Sequence, residues 1–109
     1  MIEFDEEIFN PKRFAIMIVL FLFRRVIEGD LAKTTGIQWG SLSTHLSRLE
    51  KKEYVIRRKS ITKEGIRTVV EITEEGYKKY SKEIGKLERI VTLIQSKRLS
   101  GINEISHTS

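Results

Sequence analysis

The chain has 109 residues and a formal net charge of +5, with 39% hydrophobic and 32% charged residues, a balance typical of one globular domain. The absence of cysteine excludes disulfides, thiolate metal sites and a cysteine nucleophile, and two histidines are too few to predict a metal site. The longest apolar run covers only residues 14–23, a membrane helix needs roughly 20 residues, and the acidic start does not resemble a secretory signal, so we expect a cytoplasmic protein without a membrane span.

The first part of the chain predicts two helices before a tight turn. Asn10 and Pro11 are a helix-start signal, because asparagine caps a helix and proline suits its first position. The helix that follows is apolar on nearly every side, so we expect it to bury against this domain's own core and against a second subunit. A short extended segment at 24–27 leads to a second helix over 28–34, and Gly36 breaks that helix as a helix-turn-helix requires.

A third helix is predicted over residues 38–52, because leucines spaced i, i+4 and i+7 form one inward stripe. These leucines are Leu42, Leu46 and Leu49. The opposite side of the helix is polar, so we expect the third helix to present that side to solvent or to a polar partner.

Two segments rich in β-branched residues, 54–61 and 66–72, are predicted as strands. The short polar connection between them ends in Gly65, which indicates a β-hairpin. Thr73 then caps a last helix, which is expected to end near Arg98. That helix has an apolar stripe with alternating steps of three and four residues, a heptad-like seam of the kind that pairs helices. The stripe consists of Tyr77, Tyr80, Ile84, Leu87, Val91 and Ile94.

Four segments carry a resemblance to a known family. They are Asn10-Pro11-Lys12-Arg13-Phe14, Gly40-Ser41-Leu42-Ser43-Thr44-His45-Leu46-Ser47-Arg48-Leu49-Glu50, Tyr54-Val55 and Ile72-Thr73-Glu74-Glu75-Gly76. With the order helix, helix, turn, helix, hairpin, helix, these segments resemble the small winged helix-turn-helix regulators related to MarR and ArsR. The chain departs from the pattern at Trp39, where similar proteins often have a smaller polar residue. It also departs at Glu53, where many have a small residue before a Gly-Tyr pair, and the glycine of that pair is missing here.

The resemblance implies a mainly α fold with a small β-hairpin wing and a long C-terminal dimerisation helix. Residues 1–76 would form the winged helix DNA-binding domain with an N-terminal arm, residues 77–98 the dimerisation helix and residues 99–109 a flexible tail. The partner that the resemblance implies is double-stranded DNA.

The charge distribution supports that partner. Residues 38–67 carry eight Lys or Arg and three Asp or Glu, which accounts for the whole basic excess of the chain. Because recognition helices insert their N-terminal half into the major groove and wings follow the backbone or minor groove, eight residues are predicted to contact DNA. They are Gln38, Trp39, Ser41, Ser43, Thr44, Arg48, Lys63 and Arg67.

Two of these side chains and the neighbouring His45 allow a second interpretation. Arg48 either contacts a guanine or phosphate or belongs to an ordinary solvated helix face. Trp39 is either a DNA-facing wedge or a core anchor beneath the first helix. His45, beside the leucine stripe, is either half-buried and hydrogen-bonded or a ligand residue.

The first and last helices offer more apolar surface than one small domain covers, so a homodimer is expected. The predicted dimer-interface residues are Phe14, Met17, Phe21, Tyr77, Tyr80, Ile84, Leu87, Val91 and Ile94. Two of them, Tyr77 and Tyr80, have the alternative of lining a ligand pocket.

The function predicted from these features is sequence-specific binding of double-stranded DNA by a homodimeric transcriptional regulator. The alternative is a winged-helix module for protein interaction or assembly that does not read DNA sequence. A small enzyme is not expected, because the chain has no glycine-rich phosphate loop, no nucleophile with a base and no metal cluster. No cofactor is predicted, and a small-molecule effector bound within the dimer is open but not indicated by any residue pattern.

Overall fold

A computed structural model describes residues 2–108, with side chains described for residues 2–100. The described residues form four α-helices and three β-strands, which confirms the expected mainly α fold with a hairpin. The elements are α1 Pro11–Phe23, β1 Arg25–Ile27, α2 Glu28–Thr35, α3 Trp39–Lys51, β2 Val55–Thr62, β3 Gly65–Ile72 and α4 Glu74–Thr108. None of the helices in this part of the chain combines the length and the apolar character that crossing a membrane requires.

The strands form one antiparallel sheet in the order β1-β3-β2. The hairpin pairs Val55 opposite Ile72 at its base and Thr62 opposite Gly65 at its tip. Gly65 has φ of 98°, a conformation that favours glycine, and it allows the chain to reverse after a two-residue connection. The segment predicted only as extended, 24–27, contains β1, whose Val26 pairs with Val70. We refer to the outer part of the hairpin, residues 58–67, as the wing.

The local start and stop signals act as the sequence predicts. The Asn10 side chain accepts hydrogen bonds from the backbone N–H groups of Lys12 and Arg13, which caps α1. Gly36 ends α2 in the left-handed conformation, with φ of 72°. These two sites set where α1 begins and how α2 turns into α3.

The core lies between the helices and the inner face of the sheet. The predicted leucine stripe of α3 is fully buried there, together with Ile16 and Leu20 of α1. Ile8, from the segment before α1, is also fully buried, so that segment belongs to the packed domain. Ten or more buried aliphatic side chains at roughly 1.5–3 kcal/mol each are the main source of stability.

The first turn of α4 packs closely against the backbone of Glu53 and Tyr54, just before β2. Thr73 donates its hydroxyl to the carbonyl of Glu53 at 2.6 Å and accepts from the N–H of Gly76 at 2.9 Å. Because a glycine is missing here, the backbone of Glu53 adopts the left-handed conformation itself. Its φ is 63°, which is strained for a residue with a side chain and costs about 1 kcal/mol. At Gly76 a Cβ atom would lie 2.1 Å from the Tyr54 carbonyl oxygen, so only glycine fits.

Aromatic side chains fasten α4 to α1. Phe21 stacks on Tyr77 with 4.5 Å between ring centroids, and Phe14 lies 5.2 Å from Tyr80. Met17 and Tyr80 are buried within one chain, whereas the sequence assigned both to the dimer interface. The reason is that α4 crosses α1 in its first turns, so these two side chains fill the protomer core and have no surface left for a partner.

The helix α4 extends beyond the end that the sequence predicted near Arg98. It continues to Thr108, and therefore covers most of the predicted flexible tail, while Ser109 lies outside the described residues. A single glycine at position 101 costs a helix only about 1 kcal/mol, which is too little to stop it when its neighbours favour the helix.

Replacing Gly76 with alanine tests the close packing at the start of α4. We expect Gly76→Ala to lower the free energy of unfolding by about 2–3 kcal/mol, because the new methyl group meets backbone atoms that cannot rotate away. The matched control is Gly85→Ala in the same helix, where the methyl group meets nothing within 4 Å and the free energy should rise by about 0.5–1 kcal/mol. Denaturant unfolding measures both, and equal stability of the two variants would contradict this packing.

Candidate nucleic-acid interface

The helix α3 is held along both of its flanks. Its leucines point into the core, and polar side chains at steps of four and three residues line each flank. The flank residues Ser43 and Arg48 are exposed but hydrogen-bonded to Arg57 and Glu7. We call the exposed residues at the start and on the outer side of α3 that make no side-chain hydrogen bond or ion pair to another element the α3 ridge. It consists of Gln38, Trp39, Gly40, Thr44 and Lys51, all of which are exposed.

One flank is held by Arg57 of β2. Its guanidinium donates to Glu50 at 2.8 Å, to Ser47 at 3.1 Å and to Ser43 at 3.4 Å. It also donates to Glu28 of α2 at 3.3 Å. Burial opposes the charge, but the hydrogen bonds and the two carboxylates outweigh it and raise the pKa of Arg57. One planar side chain with several donors thus joins α2, α3 and the sheet.

The other flank is held by α1 and the segment before it. Lys12 donates to Ser41 at 3.3 Å, and Arg13 donates to His45 at 3.0 Å. The third contact of this flank is a bidentate pair in which Arg48 donates two hydrogen bonds of 3.2 Å to Glu7. Those hydrogen bonds lower the pKa of Glu7 and raise that of Arg48.

The segment before α1, residues 2–9, is a structured arm. The Asp5 carboxylate accepts from the backbone N–H groups of Glu7 and Ile8 and from the Tyr54 hydroxyl at 2.9 Å. Lys79 of α4 lies 3.6 Å from the same carboxylate. Burial raises the pKa of Asp5, but these hydrogen bonds and Lys79 outweigh it and lower the pKa overall. The arm is therefore anchored to α4 and the sheet, which holds Glu7 beside α3.

His45 serves this packing as a hydrogen-bond acceptor. Burial lowers its pKa, and the neighbouring cations Arg13, Lys12 and Arg48 lower it further, so the ring is neutral at pH 7. Because arginine only donates, Nδ1 of His45 accepts and the ring proton sits on Nε2. Among residues 2–100 no three His, Cys, Asp or Glu side chains are grouped as a metal site.

The wing carries positive charge that the domain leaves unpaired. Lys59, Lys63 and Arg67 are exposed, and among residues 2–100 no carboxylate forms an ion pair with them. Arg58, in contrast, is paired with Glu71 at 3.2 Å. The unpaired cations of the wing are therefore available to an anionic partner.

An open groove of about 780 Å³ separates the wing from the start of α3. Trp39 and Ile66 belong to opposite sides of this groove, and Lys33, Lys59 and Arg67 lie along it. Trp39 is 58% exposed and rests against Gly29 of α2, so it faces the groove and is not an anchor beneath α1. The groove is also lined by the carboxylates of Glu28, Asp30 and Glu64, so it combines basic, acidic and apolar side chains.

The structure divides the eight predicted contact residues into three groups. Gln38, Trp39 and Thr44 lie on the α3 ridge, and Lys63 and Arg67 lie on the wing. The remaining three are on the flanks of α3, where each is hydrogen-bonded to a side chain from another part of the chain. They are Ser41, Ser43 and Arg48.

Two positioning residues were not found from the sequence, Glu7 and Arg57. A signal for Arg57 exists, because it lies two residues after the buried Val55 and so points to the same side of the strand. No local signal exists for Glu7, since its partner Arg48 is far away in the chain.

Solved structures share this fold. A transcriptional regulator homologue from Pyrococcus horikoshii OT3 is 29% identical, with a TM-score of 0.77 over 83% of this chain and 89% of that one. NadR, solved in complex with 4-hydroxyphenylacetate, is 23% identical, with a TM-score of 0.69 over 94% of this chain and 75% of that one. A MarR family transcriptional regulator from Silicibacter pomeroyi DSS is 15% identical, with a TM-score of 0.60 over 84% of this chain and 57% of that one.

A comparison with curated proteins found no match. A family model described as a winged helix DNA-binding domain matches residues 12–91, which include α1 to β3 and the first half of α4. The matched region contains the α3 ridge, both flanks except the arm, and the whole wing. The chain belongs to the winged helix DNA-binding domain family.

Proposed function

We propose that this protein is a cytoplasmic, homodimeric transcriptional regulator that binds double-stranded DNA sequence-specifically. The observation that carries the proposal is the exposed α3 ridge, which lies across a groove from a wing with three unpaired cations. The basic excess of residues 38–67 supports an anionic partner over an interaction module that reads no DNA. The division of charge also fits the two tasks of a DNA-binding protein, base contact and phosphate contact.

The α3 ridge suits the major groove. The amide of Gln38 is able to form a bidentate contact with adenine, and the Thr44 hydroxyl and methyl group suit several bases. Gly40 has no side chain, so the helix backbone is able to approach the base edges closely. Lys51 at the end of the ridge would reach a phosphate.

The groove beside the ridge suits the sugar-phosphate backbone. When a helix occupies the major groove and the wing follows the neighbouring minor groove, the strand that separates the two grooves must pass between them. Lys33, Lys59 and Arg67 would pair with its phosphates, and the apolar Trp39 and Ile66 would contact its sugars.

Dimerisation would use the apolar surfaces that the protomer leaves exposed. On α1 these are Ile18, Leu22 and Phe23, and on α4 the predicted seam remains exposed at Val91 and Ile94. A two-fold axis through this surface would present two α3 helices to one side of a duplex, with a separation of about 34 Å if they enter successive major grooves.

Neutral replacements on the wing test the phosphate contacts. We expect Lys63→Ala and Arg67→Ala each to weaken binding to a duplex and to reduce the slope of log K against log salt by about 1. The control is Lys78→Ala on α4, where the lysine is solvent-exposed and away from the groove, and this variant should bind as the unmodified protein does. Fluorescence anisotropy of a labelled duplex across a salt series measures all three, and absence of binding at low salt would favour the interaction module instead.

Release of Arg48 from the arm tests whether this arginine reaches DNA. Glu7→Gln removes the charge that holds Arg48, and an exposed ion pair contributes little to stability, so the guanidinium should transfer readily to a phosphate. We expect roughly five-fold tighter binding at low salt and a steeper salt slope. Glu6→Gln is the matched control, because Glu6 is exposed and contributes only its backbone carbonyl to Arg13. If the two variants bind the duplex with the same affinity, Arg48 does not contact DNA and only holds the arm against α3.

A charge placed in the α4 seam tests the dimer. We expect Ile94→Asp to convert the protein to a monomer in sedimentation velocity at micromolar concentration, because a carboxylate buried between two helices has no partner there. Leu93→Asp is the control, since Leu93 is equally exposed but lies on a different side of the helix, and this variant should remain a dimer. A monomeric unmodified protein would refute the proposed assembly.

A further inference from the structure

The wing ends in an exposed apolar pair. Ile61 and Ile66 lie directly opposite each other in the hairpin register, next to the turn. Ile61 is 86% exposed and Ile66 is 66% exposed, so neither side chain is covered by the rest of the domain. The two side chains form a contiguous exposed apolar surface at the tip of the hairpin, and a partner that covered it would gain hydrophobic stabilisation.

The pair faces the same side of the sheet as α3. Side chains alternate along a strand, so Ile61 shares its face with Lys59 and Arg57. Arg57 contacts α3 directly, and Ile66 lines the groove opposite Trp39. The apolar pair therefore lies on the DNA-facing side of the wing in the proposed complex.

The charges around the pair identify the kind of surface that it fits. Lys59 shares the face of the two isoleucines, Lys63 lies in the adjacent turn, and Arg67 lines the same groove from the neighbouring position, all without ion-pair partners among residues 2–100. Glu64 of the turn adds one carboxylate, so the net charge around the pair is positive. A matching surface is narrow and apolar in its walls and negatively charged along both rims. The minor groove of DNA has this character, because its walls are deoxyribose and its rims are phosphate.

We propose that Ile61 and Ile66 form an apolar wedge that enters the minor groove next to the major-groove site and selects A·T over G·C there. The inference rests on the proposed DNA binding and names a specificity determinant within it. An A·T pair presents no donor on the minor-groove floor, whereas a G·C pair adds the guanine N2 amino group. An aliphatic side chain that covers this amino group leaves a donor without an acceptor and meets it sterically, so G·C is disfavoured.

The isoleucines also stabilise the hairpin, and the variants must separate the two roles. A cross-strand β-branched pair contributes about 0.2–1 kcal/mol to a hairpin whichever ligand is bound. Threonine keeps the branch at Cβ and the strand preference but replaces the apolar end of the side chain by a hydroxyl. The double variant Ile61→Thr/Ile66→Thr therefore preserves the wing and alters the wedge. Ile56→Thr is the matched control, because Ile56 is also exposed, at 42%, but lies on the opposite face of β2.

The experiment is selection of bound duplexes from a randomised pool by the full chain and by these two variants. We expect the unmodified protein and Ile56→Thr to select A·T pairs outside the positions read by α3. The double variant should lose that outer preference, bind an A·T-flanked site roughly five-fold more weakly or worse, and keep both the central sequence and the salt slope.

Two results would overturn the inference. An unchanged outer preference in the double variant would show that the isoleucines do not read the minor groove, even though the protein binds DNA. A change in sedimentation of the double variant with unchanged selection would show that the pair contacts protein instead. If the unmodified protein selects no duplex at low salt, the proposed function itself fails, which is a distinct outcome.

Discussion

The contact between the Arg57 guanidinium and two carboxylates, Glu28 and Glu50, determines how α3 is placed relative to the wing. The hydrophobic core holds α3 against α1, but leucines alone permit small rotations and slides, since their packing has no direction. A planar fork with fixed donor angles removes that freedom. Lysine would offer one point charge and would not reach two carboxylates and two serines together.

This arrangement assigns different tasks to side chains of similar chemistry. Polar residues on the flanks of α3 form hydrogen bonds with other parts of the same molecule. These hydrogen bonds fix the direction in which the ridge points. The arm contributes Glu7, which neutralises the one arginine of α3 while the protein is free. The wing carries three cations, Lys59, Lys63 and Arg67, that have no ion-pair partner among residues 2–100. In the proposed complex the ridge reads bases and the wing binds phosphates, which fits this arrangement.

The sequence predicted the parts of the fold that depend on neighbouring residues. Asn10 and Thr73 cap helices, and the leucines of α3 face the core, because capping and periodicity are local. The network of Arg57 joins residues from three elements, and Tyr80 meets Phe14 only after the chain has folded back, so neither contact has a local signature. The sequence therefore predicted which elements carry the candidate site, the third helix and the hairpin. Which side chains of α3 belong to the ridge and which to the flanks could be assigned only from the three-dimensional structure.

The fluorescence of Trp39 tests the central claim most directly, because it is the only tryptophan of the chain and it lies in the groove between α3 and the wing. Acrylamide quenching would be measured on the free protein and on the protein saturated with a duplex that it binds. The account predicts efficient quenching of the free protein, since the indole is exposed, and strong protection in the complex. Binding of the duplex without any change in quenching would contradict the proposed interface, because it would place the DNA on another surface.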